Sequence, residues 1–287
     1  MQSHPSSLRI RILPLVACLA LASLAITPVQ AQPCDEPDAP ADDTLTIYRR
    51  GEAVPQQQLV DLGDPADLGG EVLEGNPAIS ARIDYADGTL TAGVFQATRG
   101  KVLIHFPFTE HATILSGSVE LTDSTGVHVT LHPGDSYLIT QGSDILWEVD
   151  GARVQKSFTN RVEAVDSPGP MRIYFARERV EADALTPLGA PEQLGGLTLA
   201  GEPTIAARFD LADASAGVMA TSEGSLSIGF GFAAHATVTS GHLLLTDESG
   251  DTHALRWGDA YFVRPGALVE WDVGKQGVQQ SFFHEAP

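Results

Sequence analysis

Residues 133–149 have the sequence PGDSYLITQGSDILWEV, and residues 257–273 have the sequence WGDAYFVRPGALVEWDV. Each segment starts with Gly-Asp after its first residue, continues as an apolar run, is interrupted by a glycine and ends in Trp, an acidic residue and Val. Short runs of β-branched and aromatic residues bounded by Gly, Asp and Pro predict β-strands joined by turns. The same strand-turn-strand unit therefore occurs twice in the chain.

The repeat extends outward from these two segments. HATILSG at 111–117 matches HATVTSG at 235–241 with an offset of 124, and ARIDYAD at 81–87 matches ARFDLAD at 207–213 with an offset of 126. Ordered matches at a nearly constant offset indicate that one module was duplicated. Each module has the periodicity of short strands and no amphipathic helical pattern, which favours an all-β sandwich or closed barrel.

The ends of the repeat predict the domain boundaries. The first domain spans 45–166 and the second spans 171–287, and both are of ordinary size for a single domain. The Asp-Ser-Pro-Gly-Pro segment at 166–170 joins them, and Pro and Gly are typical of such connections.

The segment 1–31 has the pattern of a secretory signal peptide. Arg9 and Arg11 precede an almost wholly apolar run at 12–26, and Ala31 supplies the small residue expected before the cleaved bond. The apolar run is shorter than the roughly 20 residues of a membrane span. We therefore expect an exported protein, periplasmic or extracellular, with no membrane partner after cleavage.

A lipoprotein signal is an alternative for the same segment. The sequence LVAC at 15–18 resembles a lipobox, which would attach a lipid to Cys18. Residues 32–44 are acidic and rich in proline, which is typical of a disordered leader. Cys34 is the only cysteine after the predicted cleavage, so the sequence excludes an internal disulfide and a cysteine-rich metal site in the mature chain.

The composition is strongly acidic. The chain has 17 basic and 37 acidic residues, and removal of the signal takes away two basic and no acidic residues, which leaves a net charge of −22. Such a charge repels nucleic-acid phosphates and anionic lipid headgroups. We expect a small molecule as partner rather than nucleic acid or membrane, and we leave homo-oligomer formation open.

The repeated segments resemble the two motifs of the cupin superfamily. In the first domain, EHATILSG at 110–117 precedes the segment that ends in Trp-Glu-Val, and this ending is similar to that of cupins of the (S)-ureidoglycine aminohydrolase type. The resemblance implies two tandem cupin jelly-roll barrels, each with an open mouth that holds a metal ion or a small ligand. Cupins host many unrelated activities, so the resemblance specifies the fold more closely than the function.

The resemblance also implies a set of metal ligands. A metal-binding cupin supplies two His and one Glu from its first motif and one His from its second. His105 and Glu110 match two of these positions, whereas Leu103 and Ile145 occupy the other two. Imidazole and carboxylate ligands suit Mn, Fe, Ni or Zn.

The second domain retains none of these ligands. Gly229, Ala234 and Val269 occupy the matching positions. Because the ligand set is incomplete in both domains, we predict no cofactor. The alternative is a divalent transition metal held by His105 and Glu110 in the N-terminal barrel.

His111 and His235 stand at matching positions in the two repeats, and two interpretations are open. As functional residues they would lie at the barrel mouths, where His111 would act as a general base and His235 would contact a ligand, since histidine titrates near neutral pH. As structural residues they would start a strand and bond a backbone carbonyl. Equal positions in two repeats are also what an inherited structural role predicts.

Five other residues are candidates for lining a ligand pocket. A Trp near a barrel mouth stacks on flat ligands, and an Arg binds carboxylates. The alternative is that the Trp side chains fill the core and that the Arg lies at the surface. These candidates are Tyr137, Trp147, Tyr261, Arg264 and Trp271.

Three functions are compatible with these sequence features. The first is a bicupin that binds a small polar molecule without a full metal site. The second is a metal-dependent enzyme in the N-terminal barrel that acts on a small ureido or amino compound, as the resemblance implies. The third is a structural or oligomer-forming module, in which the second barrel only packs against the first.

Overall fold

The structure is a computed structural model that describes residues 44–285. The predicted signal peptide, the leader, Cys18 and Cys34 lie outside the described residues. Within the described range, no helix has both the length and the hydrophobicity that crossing a bilayer requires.

Twenty strands and four short 3-10 helices account for the regular structure of residues 44–285. The first ten strands are β1 (Leu45–Tyr48), β2 (Val60–Gly63), β3 (Gly70–Gly75), β4 (Ile79–Ala86), β5 (Leu90–His105), β6 (Thr109–Ser116), β7 (Val119–Asp123), β8 (His128–Leu131), β9 (Ser136–Ile139) and β10 (Asp144–Arg161). The other ten are β11 (Arg172–Tyr174), β12 (Thr186–Gly189), β13 (Leu197–Gly201), β14 (Ile205–Phe209), β15 (Ala216–Thr221), β16 (Gly224–Gly229), β17 (Ala234–Thr246), β18 (Thr252–Arg256), β19 (Ala260–Val263) and β20 (Leu268–His284). The helices are Gln56–Gln58, Pro65–Leu68, Ala182–Ala184 and Pro191–Leu194.

The strands form two antiparallel sheets of ten strands each in the described part of the chain. The N-terminal sheet follows the order β11-β9-β6-β10-β5-β4-β2, with β3, β7 and β8 paired beside it. The C-terminal sheet follows the order β1-β19-β17-β20-β15-β14-β12, with β13, β16 and β18 beside it. The predicted all-β class, with one barrel of antiparallel strands for each repeat, is confirmed.

One long strand of each barrel organises its interior. In the N-terminal barrel, β10 pairs with β5 along its whole length, with β7 in its first part and with β6 in its second part. A register shift between Val149 and Arg153 separates the two parts and bends the strand around the core. Trp147 and Lys156 lie on either side of this shift.

The barrels exchange their first strands. β1 belongs to the first repeat but pairs with β19 of the C-terminal barrel, and β11 belongs to the second repeat but pairs with β9 of the N-terminal barrel. Leu45 accordingly packs in the core of the C-terminal barrel, and Met171, its equivalent in the repeat, packs in the core of the N-terminal barrel. The domain boundaries at 166 and 171 stay a prediction. β1 and β11 each lie on one side of that boundary in the sequence and pair with a strand from the other side.

The Gly-Asp turns anchor the exchanged strands. Asp135 accepts backbone N–H groups from His132 at 2.8 Å and from Ala176, just after β11, at 2.9 Å. Asp259 does the same for Arg256 at 3.1 Å and for Arg50, just after β1, at 2.9 Å. The two barrels therefore use the same backbone bonds to hold the partner repeat's strand.

Candidate functional site

Three polar side chains meet in the interior of the N-terminal barrel. Glu110 is the second residue of β6, Tyr137 lies on β9 and Lys156 lies on β10. The Lys156 Nζ forms an ion pair with Glu110 Oε1 and donates to the Tyr137 hydroxyl at 2.7 Å. That hydroxyl donates to the same Glu110 Oε1 at 2.6 Å. The Lys156 and Glu110 side chains are only 6% and 3% exposed. We call these three residues the interior cluster.

Aromatic rings surround the ammonium group of Lys156. Its Nζ lies 4.8 Å from the ring centroid of Trp147, 5.1 Å from that of Phe95 and 5.4 Å from that of Tyr137. A cation that is shielded from water interacts favourably with such rings. The Trp147 indole Nε1 is buried and has no hydrogen-bond partner within residues 44–285.

Burial dominates the titration of the cluster. It lowers the pKa of Lys156, and the neighbouring charge of Glu110 opposes that shift. Burial, followed by the charge and the hydrogen bond of Glu110, raises the pKa of Tyr137 well above its ordinary value. A buried ion pair contributes little net stability, because removing both charges from water offsets their attraction. The cluster is therefore poorly explained as a device that stabilises the barrel.

The C-terminal barrel carries an uncharged version of the same cluster. Ala234 stands in place of Glu110, and Gln280 stands in place of Lys156. The Tyr261 hydroxyl donates to Gln280 Oε1 at 2.8 Å, and Trp271 is fully buried like its counterpart. Within residues 44–285, the Gln280 Nε2 and the Trp271 Nε1 are buried without a partner.

The two predicted metal ligands are not brought together. The His105 side chain is 60% exposed at the end of β5, where its Nδ1 lies 2.9 Å from Asp144 Oδ1. Glu110 points into the barrel, where an ammonium group already occupies the position that a cation bound to its Oε1 would take. The residues present therefore do not fit a metal ion of the kind that the resemblance implies.

The residues at the other two ligand positions also argue against a metal ion of this kind. Leu103 and Ile145 have apolar side chains, which offer no ligand atom, and Ile145 is fully buried. No group of three or more His, Cys, Asp or Glu residues within the described residues could hold a metal ion. Some cupin proteins depend on metals, and whether this chain binds a cofactor stays a prediction.

The structure places the two matched histidines between the barrels rather than at the barrel mouths. The Nδ1 atoms of His111 and His235 lie 2.8 Å apart, so one ring donates a hydrogen bond to the other. Each Nε2 reaches a serine of the opposite barrel, at 3.0 Å to Ser281 Oγ for His111 and at 3.2 Å to Ser157 Oγ for His235. Within the described part of the chain neither ring bonds a backbone carbonyl, and both residues are 0% exposed.

Burial makes this pair of rings neutral. It lowers the pKa of His235 to about 3, and it lowers the pKa of His111 well below its ordinary value, because two adjacent rings that were both protonated would also repel each other. The Thr113 and Thr237 hydroxyls bond each other across the same interface. A catalytic role for His111 and a ligand contact for His235 stay predictions, and this geometry gives neither ring a surface that faces a ligand.

Arg264 contributes to the contact between the two barrels. Its guanidinium donates to the backbone carbonyl of Asp84 at 3.0 Å, and it lies 5.8 Å from the ring centroid of Tyr85. Tyr137 and Trp147 share the N-terminal interior, with ring centroids 6.3 Å apart. The predicted pocket residues thus divide among the two interiors and the interface.

Lys156 is the member of the site that sequence reasoning missed. It lies in the matched segments QKSF and QQSF, which by themselves indicate only the repeat. The available signal is a pair of differences: an acid and a base, Glu110 and Lys156, are both replaced by uncharged residues in the second repeat. Two charges that disappear together indicate a buried ion pair, because one of them alone would be left unpaired.

Comparison with known proteins identifies the repeated unit. The sequence profile of the EutQ-like cupin domain matches residues 85–158 and again residues 210–282. These two ranges correspond to the two repeats and together make up about half of the chain. None of the curated protein sequences compared with the chain matches it.

Several solved structures are similar to this chain. A protein of unknown function from Pseudomonas syringae pv. tomato is 21% identical, covers 84% of this chain and 99% of its own, and gives a TM-score of 0.64. A glyoxylate-induced protein from Pseudomonas aeruginosa is 13% identical, covers 89% of this chain and 93% of its own, and gives a TM-score of 0.49. Salicylate 1,2-dioxygenase from Pseudoaminobacter salicylatoxidans is 14% identical, covers 87% and 83%, and gives a TM-score of 0.43. At these identities the likeness concerns the fold alone.

Proposed function

The chain belongs to the cupin superfamily as a bicupin of EutQ-like domains, and on that premise we propose that it binds a small polar molecule in the N-terminal barrel without a metal ion. The observation that carries this proposal is the buried cluster of Glu110, Tyr137 and Lys156. The site therefore differs from that of a metal-binding cupin in having a fixed ammonium group as its cation.

The comparison between the barrels supports a functional role for the cluster. The C-terminal barrel folds around Ala234 and Gln280, so the fold does not require the charges. Buried charges are costly and are retained at binding and catalytic sites, where perturbed pKa values also concentrate. The cluster in the N-terminal barrel therefore has the features of a binding site, and the C-terminal barrel acts as a scaffold.

The hydrogen-bonding groups of the cluster that have no partner indicate which donors and acceptors the ligand carries. Among the described residues, the bonds to the Glu110 carboxylate go to Oε1, which leaves Oε2 to accept from an N–H or O–H group of the ligand. The Trp147 Nε1 is a second group available to donate to an oxygen of the ligand; the Trp271 Nε1 of the other barrel is equally unpartnered within residues 44–285, so Glu110 Oε2 is the group that distinguishes the N-terminal site. Glu110 and Lys156 neutralise each other, so an uncharged molecule with a donor and an acceptor fits best.

A ligand screen tests the proposal. Small acids, sugars and amides are added to the purified protein, and a specific ligand raises the melting temperature by an amount that grows with the logarithm of its concentration above the Kd. The matched control is the double variant Glu110→Ala, Lys156→Gln, which copies the C-terminal barrel and should keep its fold. We expect a hit that the double variant no longer binds by calorimetry. Equal binding by the double variant, or no hit at all, would contradict the proposal.

Metal analysis separates this function from the enzymatic alternative. We expect purified protein to contain no stoichiometric Mn, Fe, Ni or Zn. A stoichiometric transition metal that is lost on His105→Ala would overturn the metal-free site and restore the metal-dependent interpretation of the resemblance.

We also propose that the protein is exported, and the support for this is the arrangement of charge and hydrophobicity in residues 1–31. Expression of the full chain in a Gram-negative host, followed by mass spectrometry of the periplasmic protein, should give Gln32 as the first residue. A lipid-modified Cys18 would support the lipoprotein alternative instead, and a cytoplasmic protein that retains Met1 would rule out both.

A further inference from the structure

A second polar site lies on the surface, away from both barrel interiors. It is a groove of about 390 Å³ between the segment after β1 and the edge strand β18. Its charged lining consists of Arg49, Arg50, Arg256, Glu52 and Asp259. The positive residues outnumber the negative ones, although the chain as a whole is strongly acidic. We call it the arginine groove.

The charges in the groove are only partly compensated. Arg49 pairs with Asp259 at 3.3 Å, and the Asp259 carboxylate also receives the backbone N–H groups of Arg50 and Arg256. Glu52 is exposed, and its single negative charge is left to balance the positive charges of Arg50 and Arg256. The Arg50 Nε is buried without a hydrogen-bond partner among the described residues. The groove therefore holds an excess of positive charge, and the side chain of Arg50 in its wall contains a buried N–H donor without an acceptor among the described residues.

Arg50 is held in place by stacking. Its guanidinium carbon lies 3.8 Å from the ring centroid of Trp257, and the guanidinium carbon of Arg177 lies at the same distance. Two guanidinium groups at this distance fit only on opposite faces of the ring. A stacked guanidinium keeps its N–H edge available, and that edge binds carboxylates and phosphates in a fixed geometry.

The backbone at Arg177 is strained, and the strain supports a role for its side chain. Arg177 has a φ of 72°, in the left-handed region that disfavours residues with a Cβ atom. Gly51 occupies the equivalent position after β1 and has a φ of 84°. Strain of this kind persists only where the surrounding structure holds it, and it is concentrated at functional sites. Glycine serves the turn alone, so Arg177 is retained for its contact with Trp257.

The equivalent turn around Asp135, where β11 joins the N-terminal barrel, provides an internal comparison. At the positions of Arg50, Arg256 and Trp257, the other half of the molecule has Ala176, His132 and Pro133. Asp135 nevertheless makes the same two backbone bonds there as Asp259 makes here. Anchoring an exchanged strand therefore does not require the arginine and tryptophan side chains, and a second role is needed to explain them.

We propose that the arginine groove binds a small oxyanion, a carboxylate or a phosphate, between Arg50 and Arg256. Arg177 is a positioning residue that fixes the Trp257 ring and, through it, the Arg50 guanidinium. This site is separate from the interior cluster, and neither proposal depends on the other.

Calorimetric titration of the full protein with inorganic phosphate and, separately, with malonate at low ionic strength tests the groove. We expect saturable binding of at least one anion, and the anion that binds shows whether phosphate or carboxylate chemistry is recognised. The variant Arg50→Ala, Arg256→His carries the residue types of the equivalent positions, Ala176 and His132, and should bind at least tenfold more weakly. Arg172→Ala, which removes an exposed arginine of β11 outside the arginine groove, is the matched control and should bind like the wild type.

Arg177→Gly tests the positioning role, because it should change the anion affinity without lowering the stability of the fold. Glycine relieves the strain, so the melting temperature should stay the same or rise while the anion affinity falls several-fold. Unchanged affinity would remove Arg177 from the proposal. Failure of both anions to saturate, or equal affinity in the Arg50→Ala, Arg256→His variant, would overturn the site itself.

Discussion

The N-terminal barrel encloses Glu110 and Lys156, and the C-terminal barrel encloses Ala234 and Gln280 at the same positions of the same fold. The two barrels agree in what holds them together: the Gly-Asp turns, the buried Trp on the long strand and the exchanged first strand. They differ in the charges of their interiors and in the side chains around the two Gly-Asp turns, where Arg256 and Trp257 stand opposite His132 and Pro133. The shared residues explain the fold, and the residues that differ are where function is to be sought.

The comparison also explains the matched histidines. The two repeats are arranged so that equal positions face each other across the interface, as for the pairs His111–His235 and Thr113–Thr237. A residue near such a pseudo-twofold axis meets its own equivalent, as in a homodimer interface. Identity between repeats therefore indicates a shared interface at these positions, whereas difference between repeats marks the interior cluster and the arginine groove.

The largest expected effect comes from separating the charges of the cluster. Glu110→Ala leaves the Lys156 ammonium buried without its partner, which should lower the free energy of unfolding by about 3–5 kcal/mol. Adding Lys156→Gln removes the unpaired charge and should restore most of that loss. Urea denaturation of the single and double variants measures both effects. A double variant as unstable as the single one would mean that the cluster holds the barrel together.

The strand exchange predicts that two equivalent substitutions weaken opposite barrels. Leu45→Ala leaves a cavity in the C-terminal core and Met171→Ala leaves one in the N-terminal core, each at a cost of about 2–4 kcal/mol. Amide hydrogen exchange should show lost protection in β19 for the first variant and in β9 for the second. Loss in the barrel of the variant's own repeat would contradict the exchange.

The histidine pair predicts an acid-sensitive interface. The pKa values of His111 and His235 are lowered in the folded protein, so below pH 6.5 the unfolded chain binds more protons than the folded one. The stabilising effect is complete above about pH 6.5 and is lost as the pH falls toward 3, by about 1.4 kcal/mol per pH unit for each histidine that remains neutral.

The variant His111→Gln, His235→Gln isolates this contribution. Carboxylates with lowered pKa values, such as Asp123 and Asp213, also titrate at acid pH, and they contribute equally to both proteins. The difference in unfolding free energy between wild type and variant should therefore shrink between pH 6.5 and pH 4.5. A difference that does not change with pH would mean that the rings are charged or already solvated.

Much of the fold could be predicted from the sequence. Strand patterns and the turn at 123–126 are local, and the Asp123 carboxylate accepts the N–H groups of Thr125 and Val127 in that turn as expected of such a residue. Duplication was visible in the ordered matches. The exchange of β1 and β11 was not, because a strand of only three or four residues carries no information about which sheet edge it joins.

The site was harder to predict than the fold. Tyr137 and Trp147 lie together in the N-terminal interior, and whether they line a ligand pocket stays a prediction. Lys156 was missed because a lysine in a strand is ordinarily exposed, and only its partner Glu110, 46 positions earlier, makes its burial feasible. The arginine groove was missed because it depends on residues from both repeats.

A crystal structure of the protein with the compound that produces the largest thermal shift would test the interior site most directly. We expect electron density for that compound in the N-terminal barrel, with Glu110 Oε2 and Trp147 Nε1 as its hydrogen-bond partners. Density in the C-terminal barrel between Tyr261 and Trp271, or in neither barrel, would show that the charged cluster is not the binding site.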